Sequence, residues 1–215
     1  MIKRKHFTAL LAIAVVVWAG VLYMNGVPVY SALLKPFSWV VTAVALIWEA
    51  FDRWIWRWKF LHPWFVTRPD LNGTWKGRLT SNWSNPTTGQ PTPSREAYLV
   101  VRQTYSNIDM RLFTRESSSE TLAAQIIEDA VGIHTIAAVY RNVPKMLNRD
   151  HSQMHNGAVL LHVRGNPPIS LDGGYWTDRE TKGEIELETR NQHLANDFDH
   201  ASTLHYGRRA TAAKA

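Results

Sequence analysis

The chain has 215 residues, with 24 Lys and Arg against 18 Asp and Glu, a formal net charge of +6, and no cysteine. The missing cysteines exclude disulfides, a Cys nucleophile, Cys-ligated zinc and iron–sulfur clusters, and 45% hydrophobic with 20% charged residues excludes collagen, coiled coil and wholesale disorder. Residues 1–60 hold seven Lys or Arg and two acids, whereas residues 61–215 hold 17 basic and 16 acidic residues. The excess therefore flanks apolar runs, where membrane topology signals lie, and it forms no basic domain for DNA or RNA.

Phe7 to Met24 is eighteen residues without a charge, and a helix stretches that length over roughly 27 Å, close to a hydrocarbon core. Asn25, Gly26 and Pro28 end the run, and Pro36 to Trp48 adds thirteen more uncharged residues. Apolar flanks extend a second helix over about 31–51, with Lys35 and Glu49 snorkelling at its ends. Arg53-Trp54-Ile55-Trp56-Arg57-Trp58-Lys59 then alternates cations and aromatics, a mixture suited to the headgroup layer. The sequence predicts two transmembrane helices, about 7–24 and 31–51, in a unit spanning residues 1–60. A cleaved secretory signal ending near Ser31-Ala32 and a buried globular hairpin are the alternatives. Lys3, Arg4 and Lys5 precede the first helix, and Arg53, Arg57 and Lys59 follow the second. The positive-inside rule then predicts a multi-pass inner-membrane protein with its N-terminus and everything after residue 60 in the cytoplasm.

From Asn72 the periodicity changes to short β-rich runs at about 73–82, 96–104, 107–114, 119–128, 134–142, 157–164, 169–177 and 183–189. Ile108, Met110 and Leu112 alternate with polar residues, as do Ile185 and Leu187, and as do Trp75 and Leu79; such strands are buried on one face. Short connections favour antiparallel neighbours. Residues 61–190 therefore read as a mainly β domain, an eight-stranded antiparallel up-and-down barrel, with a sandwich as the alternative. Two long connections, Trp83–Ser94 and Val143–Asn156, suit a functional mouth. Residues 191–215 read as a polar, disordered tail.

The residues carry little catalytic chemistry. His151 and His155 have helical metal-pair spacing but sit in a loop without the acidic partner a zincin needs. Glycine loops for phosphate and a nucleophile elbow are absent, and Ser117-Ser118-Ser119 has no positioned base. Glu184, Glu186 and Glu188 form the outer face of one strand. The sequons at Asn72 and Asn82 mean nothing in a cytoplasmic domain. No enzyme activity, cofactor or metal is expected. What remains at the strands and their ends is aromatic, hydroxyl, amide and Arg: Trp75, Arg102, Tyr105, Thr114, Ser117, Ser119, Tyr140, Arg141, Asn142, Tyr175, Trp176, Thr177 and Arg179. Aromatic faces stack on bases, and Arg forks pair with phosphates.

These residues fall in an ordered series: Leu71-x-Gly73-x-Trp75-x-Gly77, Gln103-Thr104-Tyr105-x-x-Ile108, Leu112-x-Thr114-x-x-Ser117-x-Ser119, Tyr140-x-Asn142-x-Pro144, His155-x-Gly157, and Leu171-x-Gly173-x-Tyr175-x-Thr177-x-Arg179-x-Thr181-x-Gly183-x-Ile185. Placed after two apolar helices, the series resembles CD-NTase-associated protein 15, the two-transmembrane β-barrel effector family of bacterial CBASS anti-phage defence, over about residues 1–190. The resemblance implies a cyclic dinucleotide ligand made by a partner CD-NTase cyclase, homo-oligomerisation on binding, and disruption of the lipid bilayer that aborts infection. It implies a site at Thr114, Ser117, Tyr140, Asn142, Tyr175 and Thr177, with Arg102, Arg141 or Arg179 near the phosphates and Tyr105 alongside. A membrane-anchored, lipocalin-like carrier of a small apolar molecule is the alternative, and would need a wholly apolar lining. An anchored hydrolase would need a His–carboxylate pair in one pocket.

Overall fold

The computed structural model describes residues 12, 15, 16, 18–20, 22–26, 31–62, 64–84, 89–149 and 152–207, with backbone only for 31–40. The chain divides into two compact units, Met1–Phe65 and Val66–Ala215.

In the first unit, Ser31–Arg53 forms helix α1. It is closed by an i,i+4 ion pair between Arg53 and Glu49 at 2.5 Å, and the Arg57 guanidinium donates to the Arg53 carbonyl at 3.0 Å. Two 3-10 turns follow, Ile55–Arg57 and Lys59–Leu61. Val44, Leu46, Ile47 and Trp48 on α1 are exposed, as are Trp54, Trp58, Phe60, Trp64 and Phe65 after it. Among the described residues no helix is long and apolar enough to cross a membrane. Half of the predicted helix at 7–24 lies outside the described residues, and the described ones within it are helical.

In the second unit, eight antiparallel strands close into a barrel in sequence order: β1 Gly73–Ser81, β2 Arg95–Gln103, β3 Ile108–Phe113, β4 Ser117–Glu128, β5 His134–Pro144, β6 His155–Arg164, β7 Ser170–Thr177 and β8 Lys182–Asn191. Inward positions alternate along each strand, as the pleat requires. The bulges lie between Lys76 and Gly77 on β1 and between Thr121 and Ala123 on β4. At the β1–β8 seam a Cβ on Gly77 would collide with the Glu186 carbonyl, so glycine lets the last strand close on the first.

The end where the chain enters β1 is filled. Leu71, Trp75, Val101, Ile136, Leu161, Leu171 and Leu187 are essentially inaccessible, and burying each such aliphatic side chain contributes about 1.5–3 kcal/mol. The Trp75 indole donates to the Leu71 carbonyl at 2.9 Å. Arg190 lies 5.1 Å over the Trp75 ring and donates to the Asp70 carbonyl at 2.6 Å. Gln103 and Asn72 satisfy each other's chains: Leu71 N–H donates to Gln103 Oε1 at 2.9 Å, and Gln103 N–H donates to Asn72 Oδ1 at 2.8 Å.

The expected disordered tail needs correction. Residues 191–207 fold back onto the outer face of β2 and β3. The Thr74 hydroxyl donates to the His193 carbonyl at 2.7 Å and accepts from Ala195 N–H at 3.0 Å. Helix α2, Phe198–Thr203, is capped by Asp197, whose carboxylate accepts from His200 N–H at 2.7 Å. Phe198 meets Tyr98 edge-on at 5.3 Å, and Tyr206 lies 5.8 Å from the same ring. The physical reason is Ala97-Tyr98-Leu99-Val100-Val101, a continuous apolar run that must be covered on both faces. Residues 208–215 lie outside the described residues.

Phe198→Ala in the Val66–Ala215 unit removes the centre of this outer cluster. Large aromatic truncations in packed sites cost about 3 kcal/mol, and urea unfolding followed by circular dichroism reads the loss. The same cluster sets an alkaline limit. Burial, then Glu96, raises the Tyr98 hydroxyl, and burial, then Tyr98, raises Tyr206. Both folded values lie above the unfolded value of about 10, so their contribution is full below that pH and is lost as pH rises through the folded values. Stability therefore declines above about pH 10, and Tyr206→Phe makes the decline shallower.

Candidate ligand-binding site

The other end of the barrel is open. It carries the β1–β2, β3–β4, β5–β6 and β7–β8 connections and leads into a cavity of about 390 Å³, within the roughly 300–1,000 Å³ of small-molecule sites. Strands tilt in a closed barrel, so each hydrogen-bonded row of inward residues climbs around the wall. One row runs Ala124, Ala138, Val159, Tyr175, Gly183, Ser81. The next runs Thr121, Tyr140, Gly157, Thr177. The third runs Leu112, Ser119, Asn142, His155.

Two of these rows set each tyrosine against a cross-strand glycine. A Cβ on Gly157 would lie 2.5 Å from the Tyr140 phenol oxygen, and one on Gly183 would lie 2.8 Å from that of Tyr175. Each ring therefore lies along the wall over the neighbouring strand and leaves the lumen open. Burial pushes the Tyr140 hydroxyl well above the phenol range, with Tyr175 and Asp178 adding to it. Burial also raises Tyr175, against the pull of Ser81 and Arg95. Both rings stay neutral donors at physiological pH.

Two mouth turns are tied by hydroxyls. The Thr114 and Ser117 hydroxyls share a hydrogen bond at 3.1 Å, and Ser117 N–H donates to Thr114 Oγ1 at 3.0 Å. Thr177 and Thr181 do the same at 2.6 Å, and Arg179 N–H donates to Thr177 Oγ1 at 3.2 Å. Below them the Ser119 hydroxyl donates to Asn142 Oδ1 at 3.0 Å. Charge in the lining is confined to the rim: Arg95, Glu116, His155 and Arg179. Arg95 pairs with Glu116 at 2.5 Å. Arg179 donates to the Ser152 hydroxyl at 3.3 Å and the Gln153 carbonyl at 3.4 Å.

Eight residues singled out from the sequence line this cavity together: Thr114, Ser117, Ser119, Tyr140, Asn142, Tyr175, Thr177 and Arg179. Three do not. Arg102 and Arg141 are exposed on the outer wall, because Val101 and Gln103 on β2, and Tyr140 and Asn142 on β5, take the inward positions on either side. Tyr105 sits in the β2–β3 turn at the filled end, where its carbonyl accepts from Arg68 at 2.5 Å. Of the further aromatics, Trp75 is the plug at the filled end and Trp176 is half-exposed outside.

Arg95, Trp83 and His155 line the mouth and were not singled out as ligand residues. Arg95 shares the parity of Leu99 and Val101, which is a readable signal. His155 belongs to the pair with metal-ligand spacing from which no metal site is expected; its Nδ1 bonds the Gln153 carbonyl at 3.0 Å, and His151 lies outside the described residues. Among the described residues no cluster of three metal-ligating side chains occurs.

Against known proteins, the family model described as the Cap15 cyclic dinucleotide receptor domain matches residues 66–189. Two curated relatives carry the name CD-NTase-associated protein 15. The one from Staphylococcus schleiferi is 24% identical over 177 residues, covering 80% of this chain and 91% of the relative. The one from Escherichia albertii is 25% identical over 187 residues, covering 81% of this chain and 89% of the relative. The family match spans more than half of the chain and coincides with the closed barrel and its cavity, and the chain belongs to the Cap15 cyclic dinucleotide receptor family.

Proposed function

We propose that the barrel binds a cyclic dinucleotide in its open end and that the chain is a CBASS effector, served by a CD-NTase cyclase and acting on the bacterial inner membrane. The observation that carries the ligand is the distribution of charge. Below the rim the lining is uncharged, aliphatic side chains such as Leu99, Met110 and Val159 mixed with tyrosines, hydroxyls and an amide, and cations stand only at the mouth. A phosphate inside the neutral part would be a buried, unpaired charge. A molecule with neutral bases and a phosphate-bearing ring fits in one orientation only, bases inward and phosphates against Arg95 and Arg179. An apolar carrier is less well supported, because Thr121, Ser119, Asn142 and Tyr140 line the interior. Among the described residues the cavity holds no free His–carboxylate pair for a hydrolase, since His155 bonds a carbonyl and Glu116 bonds Arg95.

The membrane part of the proposal rests on the first unit. Leu46 and Ile47 are 66% and 65% exposed on α1, and Trp54, Trp58 and Trp64 follow them to water. Isolated apolar residues need no explanation, but a helix face continued by an aromatic belt suits a bilayer and its headgroup layer. The flanking cations support a cytoplasmic N-terminus and barrel. Ligand binding then favours self-association, which gathers apolar helices in one patch of bilayer. A ligand drives such a change only by binding one state better than the other.

Calorimetric titration with cyclic dinucleotides tests the site. Arg95→Ala and Arg179→Ala each weaken binding about tenfold or more, the value of a charge-assisted hydrogen bond, and Tyr140→Ala does so by a similar factor through lost stacking. Arg102→Ala and Arg141→Ala leave affinity unchanged. The reverse pattern moves the site to the outer wall.

Deleting residues 1–65 leaves ligand binding intact and abolishes dye leakage from cells that also produce a cognate cyclase. Sedimentation of the full chain in detergent shifts to larger species with ligand. Leakage caused by the Val66–Ala215 unit alone overturns the membrane role.

A further inference from the structure

We infer that the cavity reads the edge of one of the ligand's two bases, and that Asn142 is the reader. The inference rests on the cyclic dinucleotide reading above. Asn142 is 8% exposed and lines the cavity one row below the mouth. Its Oδ1 is taken by the Ser119 hydroxyl at 3.0 Å. Among the described residues its Nδ2 has no hydrogen-bond partner, so the amide presents a donor to the lumen.

Of the other polar groups, the Tyr140 and Tyr175 hydroxyls both donate and accept, so they select no base, and Thr121, Thr114, Thr177 and Asn148 are engaged. The Thr121 hydroxyl donates to the Met110 carbonyl at 2.6 Å. Thr114 is tied to Ser117, and Thr177 to Thr181. The cavity's other amide, Asn148, lies in the β5–β6 connection and donates to the Glu116 carbonyl at 3.2 Å. One amide remains, and it can read one base edge.

Its polarity selects the base. In the observed orientation the amide offers a donor, which meets the carbonyl of guanine or uracil well but meets the exocyclic amino group of adenine donor to donor. A buried polar group left unpaired by the wrong ligand is what makes such discrimination steep. Ser119 is a positioning residue. Without its hydroxyl the amide can turn and offer its oxygen instead. The second base meets stacking surfaces and no free amide, so it is held without edge selection.

The test is calorimetry of the full-length chain in detergent with two series. One is cyclic di-AMP, cyclic GMP–AMP and cyclic di-GMP; the other is cyclic di-AMP, cyclic UMP–AMP and cyclic di-UMP. Each series carries zero, one and two carbonyl-bearing bases of one kind. In the series that binds, the first such base raises affinity about tenfold. The second changes it by no more than about twofold, the statistical factor for two ways to dock. Asn142→Ala brings the series within about twofold, and Ser119→Ala shrinks the first step to about threefold, with thermal unfolding confirming that both variants fold. Equal rises at both steps mean that both bases are read and overturn the inference, as does tightest binding of cyclic di-AMP. Asn142→Ala lowering every affinity by one common factor also overturns it, because a packing role moves affinity without moving the ratio. If no member of either series binds, the cyclic dinucleotide reading falls, and this inference with it.

Discussion

The space inside an eight-stranded barrel is the constraint on which this domain depends. Such a barrel is just wide enough to be filled by side chains or to hold one small ligand. This chain does both, at opposite ends. Toward the filled end the inward positions are Trp75, Val101, Ile108, Ile136, Leu171 and Leu187. Toward the mouth they become Ser119, Thr121, Ala138, Gly157, Thr177 and Gly183, with two tyrosines laid over the glycines. A larger residue at 157 or 183 would push a ring off the wall and into the lumen. The cavity is thus made by what faces each tyrosine across the ladder as much as by the tyrosines themselves.

The plug gives the mouth its rigidity. Trp75 is held by its indole hydrogen bond and by Arg190 above its face, and the Gln103–Asn72 exchange ties the entering chain to β2. Outside, α2 and Tyr206 clamp β2 and β3 through Tyr98. β2 and β3, which present Arg95 and lead into Thr114 at the mouth, are therefore packed on both faces around Tyr98 and Phe113. A site whose side chains stand on such strands needs little reordering to bind.

The barrel was legible in the sequence because period-two alternation on β1, β3 and β8 survives translation into structure. Each of the eight expected strands appears within two residues of its predicted ends. The site was legible only where parity was applied. Placing Tyr140 and Asn142 inward already sends Arg141 outward, and placing Leu99 and Val101 inward sends Arg102 outward and Arg95 inward. Looking for any nearby cation ignored that rule. On β4 parity alone could not suffice, because the extra residue at Leu122 puts Ser119 and Thr121 on the same inner face as Ala124 and Ile126. The folded tail was hidden by its polarity; its signal lay on β2, in five apolar residues that one barrel interior cannot bury.

The rim shows how such a cavity can admit a charged ligand. Arg95 is matched by Glu116, and Arg179 by a hydroxyl and a carbonyl. Arg95 and Glu116 are both substantially exposed, and exposed pairs of this kind contribute only about 0–1 kcal/mol. The contacts of Arg179 at 3.3 and 3.4 Å are long for hydrogen bonds. Neither cation is locked. Both are held near the mouth by partners weak enough to be exchanged, so in the proposed binding mode an arriving phosphate gains two positioned forks at small cost. Bidentate Arg–phosphate contacts are stronger than the neutral contact Arg179 would give up. The same cations could not have stood deeper, where each would have required a permanent buried partner. The neutral interior and the exchangeable rim are therefore two consequences of one electrostatic rule, and in the proposed binding mode they set which end of the ligand goes in first.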